Sequence, residues 1–446
     1  MKKNRMKSIF IVMILCLIAL TSACSKAEKS NDPTNNAKSV NTDTPKKAIT
    51  LSYMVTTENY SDRLKGFIAN YEKMSGNKVD VQLYPATEFD KILKVKMMAN
   101  EGPDLFTTDD ISMSQFAVPK DWFEDLSTRE WVARLSKGGK SIISWIDDKV
   151  TGLPVINPGG FGIMYNKDIF ARLGITDVPK TFTEFLEISE KIKKAGIIPL
   201  NIQLANGSEF GTTHLMHQLF VNAELNQKDN QKQFFQDINE HKIKIQDVPE
   251  YEQALNQMVE LKQKGYINED FISNTFEMSQ DKFGKGLVAM HPCGDFILEP
   301  LLSKYPDTKV GFFSMPFGDT PGAISLYAGV GMSINSKAKN KEEALKFIDY
   351  FASKEQQDLY MQKSPGTNVF ADVSGGQNMI SKDLQQYMDN GRSSVGMFGK
   401  FDAWPEMDAR KEMQTVMLGS VTPKQFLVDM DKKAEITAKG KKLFGW

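Results

Sequence analysis

Four histidines and Cys293 are the residues that most directly suggest metal binding or nucleophilic chemistry. His214 and His217 are three residues apart on a predicted helix, so both side chains can face one ligand. In the stretch HPCGD, His291, Cys293 and Asp295 would share one face of an extended chain. Metal receptors bring three or four strong ligands together, and we favour a partly buried strand end as the account of HPCGD. We therefore expect no metal, no cofactor and no cysteine nucleophile.

Paired carboxylates are the second chemical signal, because a glycoside hydrolase needs two of them at the bond it cleaves. Asp109 and Asp110 are adjacent in the sequence, whereas the two carboxyl groups of such enzymes lie ~5–9.5 Å apart across the bond. A phosphate loop of the form G-x-x-x-x-G-K-[ST] does not occur, so ATP hydrolysis would belong to another chain. We expect no catalytic residue, and glycoside hydrolysis is the disfavoured alternative.

The charge balance excludes a basic field for nucleic acid. The 55 Lys and Arg residues face 56 Asp and Glu residues. Four cations, Lys2, Lys3, Arg5 and Lys7, precede an apolar run near the N-terminus; without them 51 cations face 56 anions, a net charge of −5. We expect a mildly acidic surface and no nucleic-acid partner.

The N-terminal segment predicts export and lipid anchoring. The apolar run 9–20 is shorter than the ~20 residues of a membrane span and is typical of a secretory signal. Thr21-Ser22-Ala23-Cys24 resembles a bacterial lipobox, in which the thiol of Cys24 would accept a diacylglycerol after loss of residues 1–23. Simple secretion and an uncleaved anchor are the alternatives. Residues 24–47, which have almost no apolar side chains, predict a disordered tether.

The residues after the tether alternate between strand and helix patterns. Apolar and β-branched residues in 48–55 and 78–84 predict strands, and helical spacing between them predicts a parallel βαβ unit. Ligands bind beyond the carboxyl ends of such strands, where Thr57, Glu58, Asp109 and Asp110 lie. Two helix starts are also well marked, one by the Thr181–Glu184 capping box and one by Thr422 followed by Pro423.

Five motifs in order resemble the extracellular solute-binding proteins of carbohydrate ABC importers, the maltose and multiple-sugar type. They are MMANEGPDLFTTDD, GLPV with GIMYNKDIFARLGI, VPKTFTEF, GKGLVAMHPCGDF, and GVGMSINSKAKNKEEALKFIDYFASKEQQ. The resemblance implies an α/β, two-lobed periplasmic-binding-protein-like fold with two mixed sheets flanked by helices and joined by hinge strands. The expected organisation is a signal peptide at 1–23, a tether at 24–47, lobe one at 48–156 and 308–352, and lobe two at 157–307 and 353–446.

The resemblance also suggests which residues bind substrate. They are Glu58, Asp109, Asp110, Asp295, Phe296, Tyr327 and Trp404. Carboxylates suit the hydroxyl edge of a sugar and aromatic rings suit its C–H faces; Phe296 stands where the family usually has Trp. Asn157, Gln203 and Asn206 have suitable amides in less telling places.

Five of these assignments have a structural alternative. Asp109 and Asp110 could form a turn or a helix cap. Phe296 could belong to the core, Trp404 could pack against a neighbouring helix, and Tyr327 could lie at a strand edge.

The resulting hypothesis is a monomeric lipoprotein on the outer face of the cytoplasmic membrane, of the Gram-positive type. It would bind a carbohydrate, with an oligosaccharide favoured, and deliver it to permease transmembrane subunits that work with an ATPase subunit. Because the sequence shows no obvious basic lining near the candidates, a neutral oligosaccharide is favoured over a uronate. A receptor for another polar solute and a surface sensor subunit are the alternatives.

Overall fold

Two mixed β-sheets flanked by helices organise the computed structural model of this chain, as predicted. The structure describes residues 48–57, 59–108, 120–143, 149–155, 157–205, 210–225, 231–327, 329–363, 365–373 and 376–446. The signal peptide, Cys24 and the tether therefore lie outside the described residues. Within the described ranges, no helix combines the length and the apolar character that crossing a membrane requires.

The strands and helices follow the alternating order that the sequence predicts. The strands are β1 Thr50–Thr56, β2 Lys78–Tyr84, β3 Leu105–Thr108, β4 Leu153–Pro154, β5 Gly159–Asn166, β6 Ile198–Leu200, β7 Val288–Gly294, β8 Val310–Phe313, β9 Ile324–Tyr327, β10 Gly331–Ile334 and β11 Ser393–Ser394. The α-helices are α1 Asp62–Ser75, α2 Ala86–Met98, α3 Lys137–Ile143, α4 Lys167–Arg172, α5 Phe182–Lys194, α6 Phe210–Leu225, α7 Gln231–Asn239, α8 Pro249–Gln263, α9 Phe276–Gly284, α10 Leu298–Lys304, α11 Lys341–Ala352, α12 Lys354–Lys363, α13 Ser381–Asp389, α14 Gly396–Lys400, α15 Glu406–Leu418 and α16 Pro423–Lys441. Short 3-10 helices span Lys120–Trp122, Glu130–Arg134, Ile245–Asp247 and Asp295–Ile297.

The first sheet has the strand order β2-β1-β3-β10-β4. Strand β1 is parallel to both β2 and β3, as the βαβ pattern predicts. Strand β10 enters from far along the chain and runs antiparallel between β3 and β4. Successive side chains of a strand point to opposite faces, so Tyr53 packs in one hydrophobic core and Met54 in another. Helices cover both faces, which is why β1 is buried over most of its length.

The second sheet is built around β5, with the order β11-β9-β5-β7-β6 and β8 also paired with β5. Strands β8 and β9 lie within 308–352, a segment that the predicted boundaries assign to lobe one. Their backbone pairs with β5 instead, through Ile163 with Phe313 and Gly159 with Tyr327. Register between distant strands depends on tertiary packing, which local sequence patterns do not contain.

Three connections between the described strands link the two sheets. The chain passes from β4 to β5, returns from β9 to β10, and passes again between β10 and β11. The first and third connections are tied together, because the Tyr360 hydroxyl donates to the Val155 carbonyl and the Thr367 hydroxyl donates to the Pro158 carbonyl. These segments form one side of the pocket described below.

The helix boundaries agree with the capping signals in the sequence. The Thr181 hydroxyl accepts from the Glu184 backbone N–H at 3.2 Å, and the Glu184 carboxylate accepts from the Thr181 N–H, so the capping box of α5 is confirmed. Thr422 caps α16 with Pro423 in its first turn. Gly76 ends α1 with φ +73°, a left-handed conformation that glycine adopts without steric cost.

Candidate functional site

A pocket of about 470 Å³ lies where the connections between the sheets meet α1, β7 and β9. Its lining combines polar side chains with apolar surface from two aromatic rings, two leucines and a proline. The lining residues are Arg63, Asn157, Asp295, Phe296, Leu298, Glu299, Leu302, Tyr327, Lys363, Pro365, Gly366 and Asn378. Arg63 of α1, which follows a first-sheet strand, thus lines the same pocket as residues at the ends of second-sheet strands.

Strand β5 positions Asp295 and Tyr327 from its two sides. Gly159 pairs with Tyr327 of β9, and Phe161 pairs with Gly294, the last residue of β7. The Tyr327 hydroxyl donates to Asp295 Oδ1 at 2.6 Å. The Gly160 backbone N–H donates to the same oxygen at 3.1 Å. The carboxylate is therefore held in a fixed orientation at the pocket wall.

The Asp295 carboxyl is an unusually weak acid. Its pKa is raised to about 6, because burial disfavours the charged form more than the hydrogen bonds from Tyr327 and Gly160 favour it. Glycine is required beside this pair: a Cβ at Gly159 would lie 2.1 Å from Asp295 Oδ1 and 2.2 Å from the Tyr327 hydroxyl oxygen.

Phe296 presents an aromatic surface to the pocket, with 48% of the residue exposed. Its ring packs over Gly294, where an added Cβ would come within 2.3 Å of Cε1. The ring contacts Tyr327 and His214 edge to face, with centroids 6.2 and 6.3 Å apart. An exposed ring in a concave site is suited to stacking against an apolar ligand face.

Three of the predicted site residues, Asp295, Phe296 and Tyr327, thus line one pocket. Asn157 lines it as well. The core alternative for Phe296 does not apply to a half-exposed ring. Glu58, Asp109, Asp110 and Asn206 lie outside the described residues.

Trp404 does not line this pocket, and its assignment is corrected. It is 2% exposed and belongs to the second hydrophobic core, with its ring edge to face on Phe220. Its indole Nε1 donates to Glu406 Oε2 at 2.8 Å. Trp404 therefore packs against a neighbouring helix, which was the structural alternative for this residue. Sequence alone does not reveal which helix covers an aromatic residue.

Glu406 joins Trp404 to two basic groups. His217 Nε2 lies 3.2 Å from Glu406 Oε2, and Arg410 Nε donates to Oε1 at 2.7 Å. Burial alone would raise the pKa of Glu406, but His217 and Arg410 outweigh it and lower that pKa to about 2. His217 therefore faces a carboxylate in the core.

The HPCGD stretch lies on β7 and directly after it. His291 and Cys293 are buried. Burial lowers the pKa of His291 to about 4 and raises the pKa of the Cys293 thiol well above its usual range. Within the part of the chain that the structure describes, no group of three or more His, Cys, Asp or Glu side chains could hold a metal ion.

The pocket also contains residues that sequence reasoning missed, above all Arg63 and Lys363. A signal for Arg63 existed. Ser61 caps α1, with its hydroxyl accepting from the Leu64 N–H at 3.2 Å. The first turn of a helix that follows a strand lies at the carboxyl edge of a sheet, where ligands bind. Lys363 had no such signal, because its place depends on the third connection.

Comparison with known proteins identifies relatives of this chain. Residues 56–358 match the model of the bacterial extracellular solute-binding protein family. The chain is 22% identical over 353 residues to the multiple sugar-binding protein of Streptococcus mutans, covering 78% of this chain and 79% of that protein. It is 29% identical over 198 residues to the melibiose/raffinose/stachyose-binding protein of Bacillus subtilis, covering 44% of this chain and 42% of that protein.

Solved structures share the fold. The apo form of RafE from Streptococcus pneumoniae superposes with a TM-score of 0.72 at 21% identity, covering 88% of this chain and 99% of that one. A RafE structure with raffinose gives a TM-score of 0.67 at 22% identity, covering 87% and 99%. The predicted periplasmic-binding-protein-like α/β fold is confirmed.

Proposed function

Because this chain belongs to the bacterial extracellular solute-binding protein family, we propose that it binds an oligosaccharide in the pocket lined by Asp295, Phe296 and Tyr327. Proteins of this family bind solutes, so this chain is a binding protein and not an enzyme. The observation that carries the proposal is the half-exposed Phe296 ring beside an oriented carboxylate–phenol pair.

The chemistry of this pocket suits a sugar. Hydroxyl groups need acceptors and donors in fixed directions, and the Asp295–Tyr327 pair and the Asn157 amide supply both. The C–H face of a pyranose needs an apolar platform, which Phe296 supplies. Relatives whose names state multiple sugars, melibiose, raffinose and stachyose support a carbohydrate over another polar solute.

Further contacts are proposed from the resemblance alone. Glu58 follows β1 and Asp109 and Asp110 follow β3 in the sequence. Carboxyl ends of parallel strands meet at one edge of a sheet. We therefore include these three carboxylates in the ligand site, and Asp109→Asn and Asp110→Asn should each weaken binding.

Delivery to an ABC importer follows from the same proposal. Sugar would bridge two half-sites, one on each lobe, and shift the chain toward a closed form through the three connections. The closed form would dock on permease subunits coupled to an ATPase. We retain the lobe boundaries as a proposal, with β8 and β9 moved to lobe two because they pair with β5.

Anchoring at the outer face of the membrane is the remaining part of the proposal. Cys24 would carry the lipid and residues 25–47 would act as the tether. Cys24→Ala should move the protein from the membrane fraction to the medium. Equal partition of both forms between membrane and medium would contradict anchoring through Cys24.

A thermal-shift screen tests the proposed function. The purified protein is heated with mono- and oligosaccharides, and with amino acids, polyamines and divalent metals as controls. A ligand at 100 times its dissociation constant adds ~2.7 kcal/mol of stability. A shift with one sugar class supports the proposal. A shift only with an amine, an amino acid or a metal would overturn it.

A further inference from the structure

We propose that His214 is a positioning residue of the sugar site, because its buried ring fixes the orientation of Phe296 and with it the plane on which a sugar ring lies. The inference rests on the proposed function and deepens it by giving a role to a side chain outside the pocket lining. It also assigns a role to the first member of the His214–His217 pair, which the sequence singled out for its spacing.

Helix α6 places His214 next to the strands that carry the site. The helix packs against β5, β7 and β9, and His214 lies near its N-terminal end. Gln218 ties the helix to β5, because its Nε2 donates to the Gly162 carbonyl at 3.1 Å and to the His214 carbonyl at 3.2 Å. His214 is 7% exposed. Its position is therefore set by the helix and by the central strand of the second sheet.

Four rings of the described residues meet beside the pocket. His214 stacks on Phe161 of β5, with centroids 4.3 Å and planes 22° apart. Phe161 also contacts Tyr327, with centroids 5.3 Å apart. His214 and Tyr327 both contact Phe296 edge to face, with planes at 81° and 63°. Phe296 and Tyr327 line the pocket, while Phe161 and His214 form a buried layer behind them.

These contacts prepare the Phe296 ring for a ligand. Each edge-to-face contact at such distances favours one relative orientation of the two rings. Tyr327 is itself fixed by its hydrogen bond to Asp295, and His214 is fixed by its stack on Phe161. A ring that already has its binding orientation loses less rotamer freedom when the ligand arrives, so the ligand binds more tightly.

The His214 imidazole acts here as an uncharged flat ring. Burial, followed by the neighbouring His217 and Arg410, lowers the pKa of His214 well below its ordinary value. Phenylalanine can therefore replace the flat ring without removing a charge. Leucine fills similar space and removes the aromatic edge that contacts Phe296.

The test is a double-mutant cycle between His214 and Phe296. Raffinose, stachyose and melibiose, followed by the other sugars of the thermal-shift screen, are titrated calorimetrically into the purified protein, and the tightest binder is used with the variants. His214→Leu should weaken that sugar about 3- to 10-fold. In a Phe296→Ala background the same change should alter Kd by less than about twofold, since residues that act through one contact are not additive. A purely structural role would lower the unfolding temperature and leave both Kd values unchanged.

Two further variants separate positioning from loss of stability. His214→Phe should restore Kd to within about twofold of the wild type, even where the unfolding temperature stays lower. His217→Leu is the matched control, because His217 lies on the same helix, is 6% exposed and contacts Glu406 instead. It should lower the unfolding temperature and leave Kd within about twofold of the wild type.

Phe161→Leu covers the case that His214→Leu fails to fold. It removes the stack that fixes His214 and should weaken the sugar in the same way, again only while Phe296 is present. Unchanged affinity in these variants, an equal loss in the Phe296→Ala background, or an equal loss in His217→Leu overturns the inference and leaves the proposed function standing. If no sugar of the screen binds, the proposed function is overturned and the inference with it.

Discussion

Replacing Phe296 by alanine tests the aromatic platform of the pocket. The residue leaves 48% of its surface exposed, about 100 Å² of the ~200 Å² of a phenylalanine. A sugar ring lying on one side covers about half of that area, and burial of ~50 Å² is worth ~1.2 kcal/mol. A ring contact of the strength of an aromatic pair adds ~0.5–1.5 kcal/mol. The expected loss is therefore ~2 kcal/mol, or about 30-fold in Kd.

The assay is isothermal titration with the sugar that gives the largest thermal shift. Phe296→Ala should weaken binding by this amount while the ligand-free protein unfolds close to the wild-type temperature, because the ring is only half buried. Phe444→Ala is the matched control, since Phe444 is 82% exposed and does not line the pocket. Unchanged affinity in Phe296→Ala, or an equal loss in Phe444→Ala, would refute the reasoning.

Trp404, Asp295 and Gly159 offer three further tests of the site and its surroundings. Trp404→Phe removes the hydrogen bond from the indole to Glu406 and should lower the free energy of unfolding by about 1–3 kcal/mol. The Kd for the sugar should stay unchanged. A loss of affinity at wild-type stability would instead show that Trp404 contacts the ligand. Burial raises the pKa of Asp295 from 3.8 to about 6. The native state therefore binds this proton more tightly than the unfolded chain, and the free energy of unfolding should fall as the pH rises from 3.8 to about 6. Asp295→Asn should flatten that part of the stability–pH curve. The same slope in the variant as in the wild type would contradict the raised pKa of Asp295. Gly159→Ala should cost about 1–3 kcal/mol and weaken sugar binding by displacing Asp295 and Tyr327, whereas Gly66→Ala, where an added Cβ meets nothing within 4 Å, should be neutral or stabilising.

Local patterns predicted the elements that depend on neighbouring residues. The capping box that starts α5 and the strand end before Asp295 are both encoded in a few consecutive residues. The family resemblance made Phe296 a candidate, because it stands where the family usually has Trp. Short-range interactions are therefore sufficient to predict these parts of the fold, and the resemblance supplied the pocket residue.

Other features depend on tertiary contacts that the sequence does not display. Trp404 has the residue type of a sugar platform, yet Phe220 of α6 and the Glu406 carboxylate enclose it. Arg63 had a signal in its position at the start of a helix that follows a strand, but its contact with Tyr360 depends on the third connection. The pairing of β8 and β9 with β5 likewise follows from how sheets assemble, since both segments have the local pattern of strands that could belong to either lobe.

The insertion of β10 between β3 and β4 affects how the chain reaches its native state. Gly331 pairs with Thr108 on one side and with Pro154 on the other, so the first sheet stays incomplete until most of the polypeptide has left the ribosome. Pairing residues so far apart in sequence makes folding slow, because loop-closure entropy is lost before contacts form. Truncated translation products that end before β10 cannot bury the edges of β3 and β4, and they are natural substrates for proteases.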